Sequence, residues 1–252
     1  MMGERLVLLS ALTLVRAAAQ IVTPRLHDHN LHTWLVYAGD HPFAGRWGAH
    51  LEAQWRRHDA GPRPQQLLLR PALNFQLRGP IGLSAGYGYI TTHRYGDYPV
   101  QAAFPEHRIY QQVTIQDKAG PAEFLHRART EQRWLGHRLS SAAGDAGART
   151  WRYQNRFRYM LRLVVPLKRV PWYFASSNEI FLNYAPTHGT RPFDQNRAFA
   201  GIGRKIGQLT RVEAGYMQQT LLQRNARVLE LNHTIQVAVL SRLPLRRENS
   251  RP

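Results

Sequence analysis

Residues Trp151 to Val165 read WRYQNRFRYMLRLVV, so Trp151, Tyr153, Phe157, Tyr159, Leu161, Leu163 and Val165 alternate with Arg152, Gln154, Arg156, Arg158 and Arg162. Successive side chains of a strand point to opposite sides of its sheet. A period of two sustained this long describes a ribbon with apolar surroundings on one face and polar surroundings on the other. A helix would gather Tyr153, Phe157, Leu161 and Val164 but scatter Trp151, Tyr159, Leu163 and Val165 around its polar side. The segment therefore reads as a membrane-crossing β-strand, whose lipid-facing and lumen-facing residues alternate.

The pattern recurs along most of the chain. In 47–55, Trp47, Ala49, Leu51, Ala53 and Trp55 share one face, and Gly48, His50, Glu52 and Gln54 the other. At a rise of about 3.3 Å per residue and a tilt of about 40°, the two tryptophans stand roughly 20 Å apart in height, close to the apolar band between a barrel's aromatic girdles. Weaker alternation covers Leu31–Tyr37. Further candidates are Gln66–Leu77, Ile81–Thr92, Glu106–Asp117, Glu123–Arg138, Pro171–Tyr184, Asn196–Lys205, Leu209–Thr220 and Val228–Arg242. Many are longer than the usual soluble strand of about five or six residues. Turn-forming residues fall between them at Gly39–Pro42, Gly61–Pro64, Gly79-Pro80, Gly120-Pro121, Gly144–Gly147, Pro166–Pro171, Pro186–Pro192 and Gly207. Bacterial barrels that start and end on the same side need an even strand count, so about eleven visible candidates imply twelve strands, with ten as the alternative.

The export route is legible at the N-terminus. Arg5, the apolar run Leu6–Val15 and the small residues Ala17, Ala18 and Ala19 form a cleavable signal peptide over 1–19. A polar lead-in over 20–29, a barrel over 30–242 and a polar tail over 243–252 complete the expected organisation. No apolar run is long enough for a transmembrane helix, a test that barrels evade because averaging mixes their two faces. Cysteine is absent, which rules out a disulfide framework and a thiolate metal site.

Thirty-four Lys and Arg against sixteen Asp and Glu give a formal charge of +18 and a pI near 11.2. Such values ordinarily raise nucleic-acid binding first. Here the arginines are spread strand after strand, alternating with lipid-type residues, whereas a nucleic-acid binder collects them in one patch or tail. No nucleic-acid partner is expected.

Several motifs carry a family resemblance: Trp34-Leu-Val-Tyr37-Ala-Gly39-Asp40, Pro64-Gln-Gln-Leu-Leu-Leu-Arg70-Pro71, Ala85-Gly86-Tyr87-Gly-Tyr89, Glu106-His107-Arg108, Arg127-Ala-Arg129-Thr-Glu131-Gln-Arg133, Arg156-Phe-Arg158-Tyr159, Asn178-Glu179-Ile-Phe181-Leu-Asn183, Phe193-Asp-Gln195-Asn196-Arg197 and Gly215-Tyr216-Met217. Together, over roughly 30–240, they resemble the bacterial family named domain of unknown function 2490. The resemblance implies an outer-membrane β-barrel and supplies no reaction. The terminal aromatic common in bacterial barrels is missing from LPLRRENSRP.

On the inward face, Arg127, Arg129, Glu131 and Arg133 come from one strand, Arg156 and Arg158 from the next, Glu179 and Asn183 from another and Arg197 from a fourth. One reading is that Glu131 and Glu179 pair with these arginines and brace a narrow barrel. Another is an anion-attracting lumen, because arginines outnumber the inward carboxylates. Trp47, Trp55, Trp151 and Tyr159 are the expected membrane-interface aromatics. Arg94, Arg149 and Arg191 are loop cations placed to meet phosphates of outer-leaflet lipid.

Catalytic signals are sparse. Ser84, Ser176 and Ser177 are the strand serines to weigh against His107, His126 or His233 for a lipid-modifying hydrolase, and no spacing singles out a triad. His27-Asp28-His29 with His32 holds metal-ligand types in what reads as a polar lead-in. Gly201-Ile-Gly203 lacks the dinucleotide fingerprint's helix and reads as close strand packing. The expectation is an all-β, single antiparallel transmembrane barrel in a bacterial outer membrane, structural or a small anion-preferring pore. It is not expected to be an enzyme, and it needs no cofactor or metal. Its partners would be outer-membrane lipid, periplasmic chaperones, the barrel-assembly machinery and small lumenal anions. The alternatives are the hydrolase and a soluble ligand-binding barrel with its faces inverted.

Overall fold

The computed structural model describes residues 25–100, 102–138, 149–184, 192–223 and 225–245. The expected signal peptide, the lead-in up to residue 24, Arg191 and the tail beyond residue 245 lie outside them, as does the Arg149 side chain. Among the described residues, eleven strands follow one another without a helix: β1 (Leu26–Ala44), β2 (Trp47–His58), β3 (Arg63–Gln76), β4 (Ile81–Thr92), β5 (Phe104–Ala119), β6 (Ala122–Arg138), β7 (Arg149–Pro166), β8 (Trp172–Tyr184), β9 (Phe193–Ile206), β10 (Thr210–Leu222) and β11 (Val228–Ser241). Each pairs antiparallel with its sequence neighbour, and β1 closes the ring against β11.

Among the described residues the count is eleven, not twelve or ten. The even number assumed that both chain ends lie on one side. Here β1 and β11 run parallel from Leu26↔Val228 to Gly39↔Ser241, and an odd meander can close only through such a pair. β1 is also longer than its alternation suggested. It begins at Leu26, inside the expected lead-in, and runs through Gly39 and Pro42, where a turn was expected. A bulge between Pro42 and Ala44 precedes the real turn at Gly45.

Connections at one end of the barrel are short: 45–46, 77–80, 120–121, 167–171 and 207–209. Gly45, Gly79, Gly120 and Gly207 take positive φ there, which these turns require and glycine adopts without strain. At the other end, the short 59–62 and 223–227 stand beside the longer intervals 93–103, 139–148 and 185–192.

The outer wall is apolar. Trp47 and Trp55 are 43% and 51% exposed, and Leu51, Leu67, Leu73, Ile109, Val113, Trp151, Tyr159 and Ile235 lie exposed on the same side of the sheet. Arg129, Arg156 and Arg158 are buried inside. The inverted barrel, with aromatics within and arginines outside, is therefore not the fold.

Polar side chains on the outer wall satisfy one another across strands. Tyr87 bonds the His107 ring (2.5 Å), Tyr159 bonds His126 (2.8 Å) and Tyr216 bonds His233 (2.6 Å). Asn178 pairs with Asn196, and Gln111 with Thr130 and Gln132. A polar group facing an apolar medium must find its partner on the protein.

Inside, one sector holds an apolar cluster of Trp34, Val164, Tyr173, Ala175, Phe199 and Met217. Gly201 and Gly203 leave the inner wall bare there. A Cβ at Gly203 would strike the Tyr173 ring, and one at Gly201 would meet Phe199. The Gly-Ile-Gly segment thus makes room for rings, as its reading as close packing expects.

Candidate functional site

The lumen carries the charged residues of β2 and β5–β9, because period two places 127, 129, 131 and 133 of β6, 156 and 158 of β7, 179, 181 and 183 of β8, and 197 of β9 all inward. Glu131 is 0% exposed and accepts from Arg156 Nη2 (2.5 Å), Arg156 Nε (2.9 Å) and Arg158 Nη1 (2.6 Å). Glu179 accepts from Arg158 Nε (2.9 Å) and Arg127 Nη2 (2.8 Å). Glu106 is held by two guanidiniums, Arg108 Nε and Arg133 Nε, each at 2.5 Å. Arg156 also reaches Asp194 (2.9 Å), and Arg70 reaches Glu52 (2.8 Å). Shared carboxylates of this kind satisfy charges away from bulk water, and they link β5 to β9 across the lumen.

Three rings seat the guanidiniums. Arg158, Arg197 and Arg156 lie 4.3, 4.8 and 5.1 Å from the Phe181 centroid. Arg129 lies over Tyr110 at 4.4 Å, and Arg56 over Trp34 at 3.8 Å. Trp34, Tyr110 and Phe181 are at most 2% exposed, so with Glu131 they fill the middle of the lumen.

Beyond this filled middle, toward the long connections, lies a cavity of about 830 Å³. Eight arginines line it (Arg56, Arg70, Arg108, Arg133, Arg152, Arg156, Arg158 and Arg197) against three carboxylates, Glu106, Asp194 and Glu230. One wall is the connection 93–103, which leaves β4 and crosses to the far side of the mouth. Tyr95 donates to Glu230 Oε2 (2.9 Å), with its ring 5.2 Å from His32 and 5.6 Å from His58. Asp97 N meets Asp28 Oδ1 (3.4 Å), and Gln223 Nε2 donates to Tyr98 O (2.8 Å). Burial, together with the Glu230 carboxylate, raises the Tyr95 phenol well above its usual range and keeps it a donor.

The residues expected in the lumen (Arg127, Arg129, Glu131, Arg133, Arg156, Arg158, Glu179, Asn183 and Arg197) are thus brought together. The structure adds Glu106, Arg108, Arg56, Arg70, Glu52 and Asp194, along with Trp34, Tyr110 and Phe181. Continuing period two from Glu106 through Arg108 to Tyr110 would have found the β5 members. Nothing in the spacing marks Trp34, an apolar residue on the polar face. Of the candidate hydrolase residues, Ser84 and Ser177 sit on inward positions, whereas Ser176, opposite Leu163, faces outward, as do His107, His126 and His233, each of which is hydrogen-bonded to a tyrosine hydroxyl. Strand alternation also divides the proposed metal ligands, with Asp28 and His32 inside and His27 and His29 outside. No group of three or more His, Asp or Glu able to hold a metal occurs among the described residues.

Among known proteins, the chain is 29% identical over 242 residues to an uncharacterised protein of Methylorubrum extorquens, covering 93% of this chain and 96% of that one. Among solved structures it is similar to the NanC porin, with a TM-score of 0.49 and 11% identity over 81% of this chain and 90% of the porin. The family model described as "Protein of unknown function (DUF2490)" matches residues 31–230, and the chain belongs to that family.

Proposed function

We propose that this protein is an outer-membrane barrel whose long-connection half is a basic vestibule for anions, with the salt-bridged middle of the lumen as its constriction. The carrying observation is that eight arginines line one cavity and outnumber its carboxylates, both the three in the lining and Glu52, Glu131 and Glu179, which pair with Arg70, Arg156 and Arg158. A low-dielectric wall focuses that field and raises the local anion concentration. The membrane placement is supported by the exposed apolar outer wall and by the self-paired polar groups on it, since apolar surface of this extent on a closed barrel fits lipid. The short turns then face the periplasm and the long connections the exterior.

A second reading, a braced structural barrel, is favoured by the filled middle, where Trp34, Tyr110, Glu131 and Phe181 leave almost no exposed surface. Single-channel recording in planar bilayers separates the two, using wild type, Arg129→Ala and Arg158→Ala, each first checked for heat-modifiable gel migration. Anion-preferring steps whose selectivity falls in the variants support the vestibule as a pore. Silence from folded, inserted protein leaves the structural barrel.

A further inference from the structure

The arginines around the vestibule fall into two groups. Arg70, Arg108, Arg133, Arg156 and Arg158 each have a carboxylate within 4.0 Å. Arg56, Arg152 and Arg197 have none among the described residues, and of these three Arg56 and Arg197 lie together on one ring. Arg56 is 5% exposed, and its guanidinium meets only the amide oxygens of Gln54 and Gln66. Arg197 makes no side-chain hydrogen bond among the described residues, and its Nε is buried without a partner. Both lie against the same indole, at 3.8 and 5.0 Å from the Trp34 ring, and Arg197 also rests on Phe181. Trp34 is itself fixed by donating Nε1 to Gln65 Oε1 (2.9 Å).

Two guanidiniums sharing a ring, with no carboxylate within 4.0 Å of either and with Glu179 and Glu52 acting on them only from farther off, repel each other. Cation–π contact offsets only part of that repulsion. A bracing role would have supplied a carboxylate, as it does for the other five. An oxyanion bridging the pair would relieve the repulsion and fill the vacant donors, with a geometry the planar guanidinium fork suits.

We infer that Arg56 and Arg197, seated on Trp34 at the inner end of the vestibule, form a binding subsite for the oxyanion group, carboxylate or phosphate, of a small solute. This inference rests on the vestibule reading. It does not require that the solute pass through the barrel.

The test is isothermal titration calorimetry of the refolded full chain in non-ionic detergent at low salt, with inorganic phosphate, succinate and uncharged glycerol as separate probes. Saturable binding of phosphate or succinate but not glycerol is expected, weakened at least tenfold in Arg197→Ala and in Arg56→Gln, and partly restored in Arg197→Lys. Which anion binds more tightly identifies the source of the oxyanion. Equal affinity in wild type and both variants, or no anion binding by wild type, overturns the subsite. Heat-modifiable migration of each variant shows that loss of binding is not loss of fold, and Arg56→Gln serves if Arg197→Ala fails to fold. Binding without conductance sinks the pore and keeps the subsite. Conductance without saturable binding does the reverse.

Discussion

At the residue scale, the lumen is organised by how few carboxylates serve many guanidiniums. Glu131 sits among Arg156, Arg158, Arg129 and Arg108, so truncating it strands several buried cations. Breaking a buried pair in this way costs about 3–5 kcal/mol. Glu131→Ala should therefore lower the urea midpoint of the barrel in lipid vesicles, measured by tryptophan fluorescence, by far more than Glu123→Ala, whose ion pair with Lys118 is exposed. An unchanged midpoint would mean that the salt-bridged middle of the lumen does not brace the barrel. Which residues face inward was legible, because parity alone placed Arg127 to Arg133, Arg156, Arg158 and Glu179. Which carboxylate meets which arginine was not, since that depends on register between strands, and period two is silent on register. Trp34 escaped for a related reason: its role is to seat Arg56 and Arg197, which arrive from β2 and β9.

At the element scale, the connection 93–103 is the part least foreseeable from sequence. Its residues read as an ordinary loop, but beside the His93 N to Gln65 O bond it reaches Asp28, Gln223 and Glu230, each more than sixty residues away in the chain. Gly96 makes the crossing possible. It takes φ +74, and a Cβ there would lie 2.6 Å from Asp28 Oδ2 and 2.8 Å from Asn30 Oδ1. Gly96→Val combines that clash with left-handed strain of about 1–3 kcal/mol and should lift the strap from β1. Limited proteolysis of the folded barrel should then cut within 93–103 in the variant at protease levels that leave wild type intact. Equal cutting would mean that the strap is not held by these contacts. Strand existence, by contrast, was well marked, because all eleven alternating segments became strands. β1 alone was badly bounded, since its first residues, Leu26 to Asn30, carry histidines and polar groups on both faces.

At the scale of the whole molecule, the eleven candidate segments match the strand count among the described residues, and the rule of even numbers led away from it. Local pattern shows each strand but not how the ring shuts, and closure is a relation between residues some two hundred positions apart. The absence of native cysteine allows a clean test. Leu35 pairs with Val237 on the outer face, so Leu35→Cys with Val237→Cys should form a disulfide on mild oxidation of the folded barrel, detected as a cross-linked peptide by mass spectrometry. A twelfth strand between them would hold the two sites roughly 10 Å apart, beyond disulfide reach, and no cross-link would form.

The parallel seam also sends the two ends of the barrel to opposite rims. Leu26 begins beside Val228 at the rim of the long connections, whereas Ser241 ends at the rim of the short turns. On the proposed membrane placement, a segment fused ahead of Leu26 would be displayed on one side of the bilayer and one fused after Ser241 on the other. A barrel so placed would offer one attachment point to each of the two aqueous spaces that a membrane keeps apart.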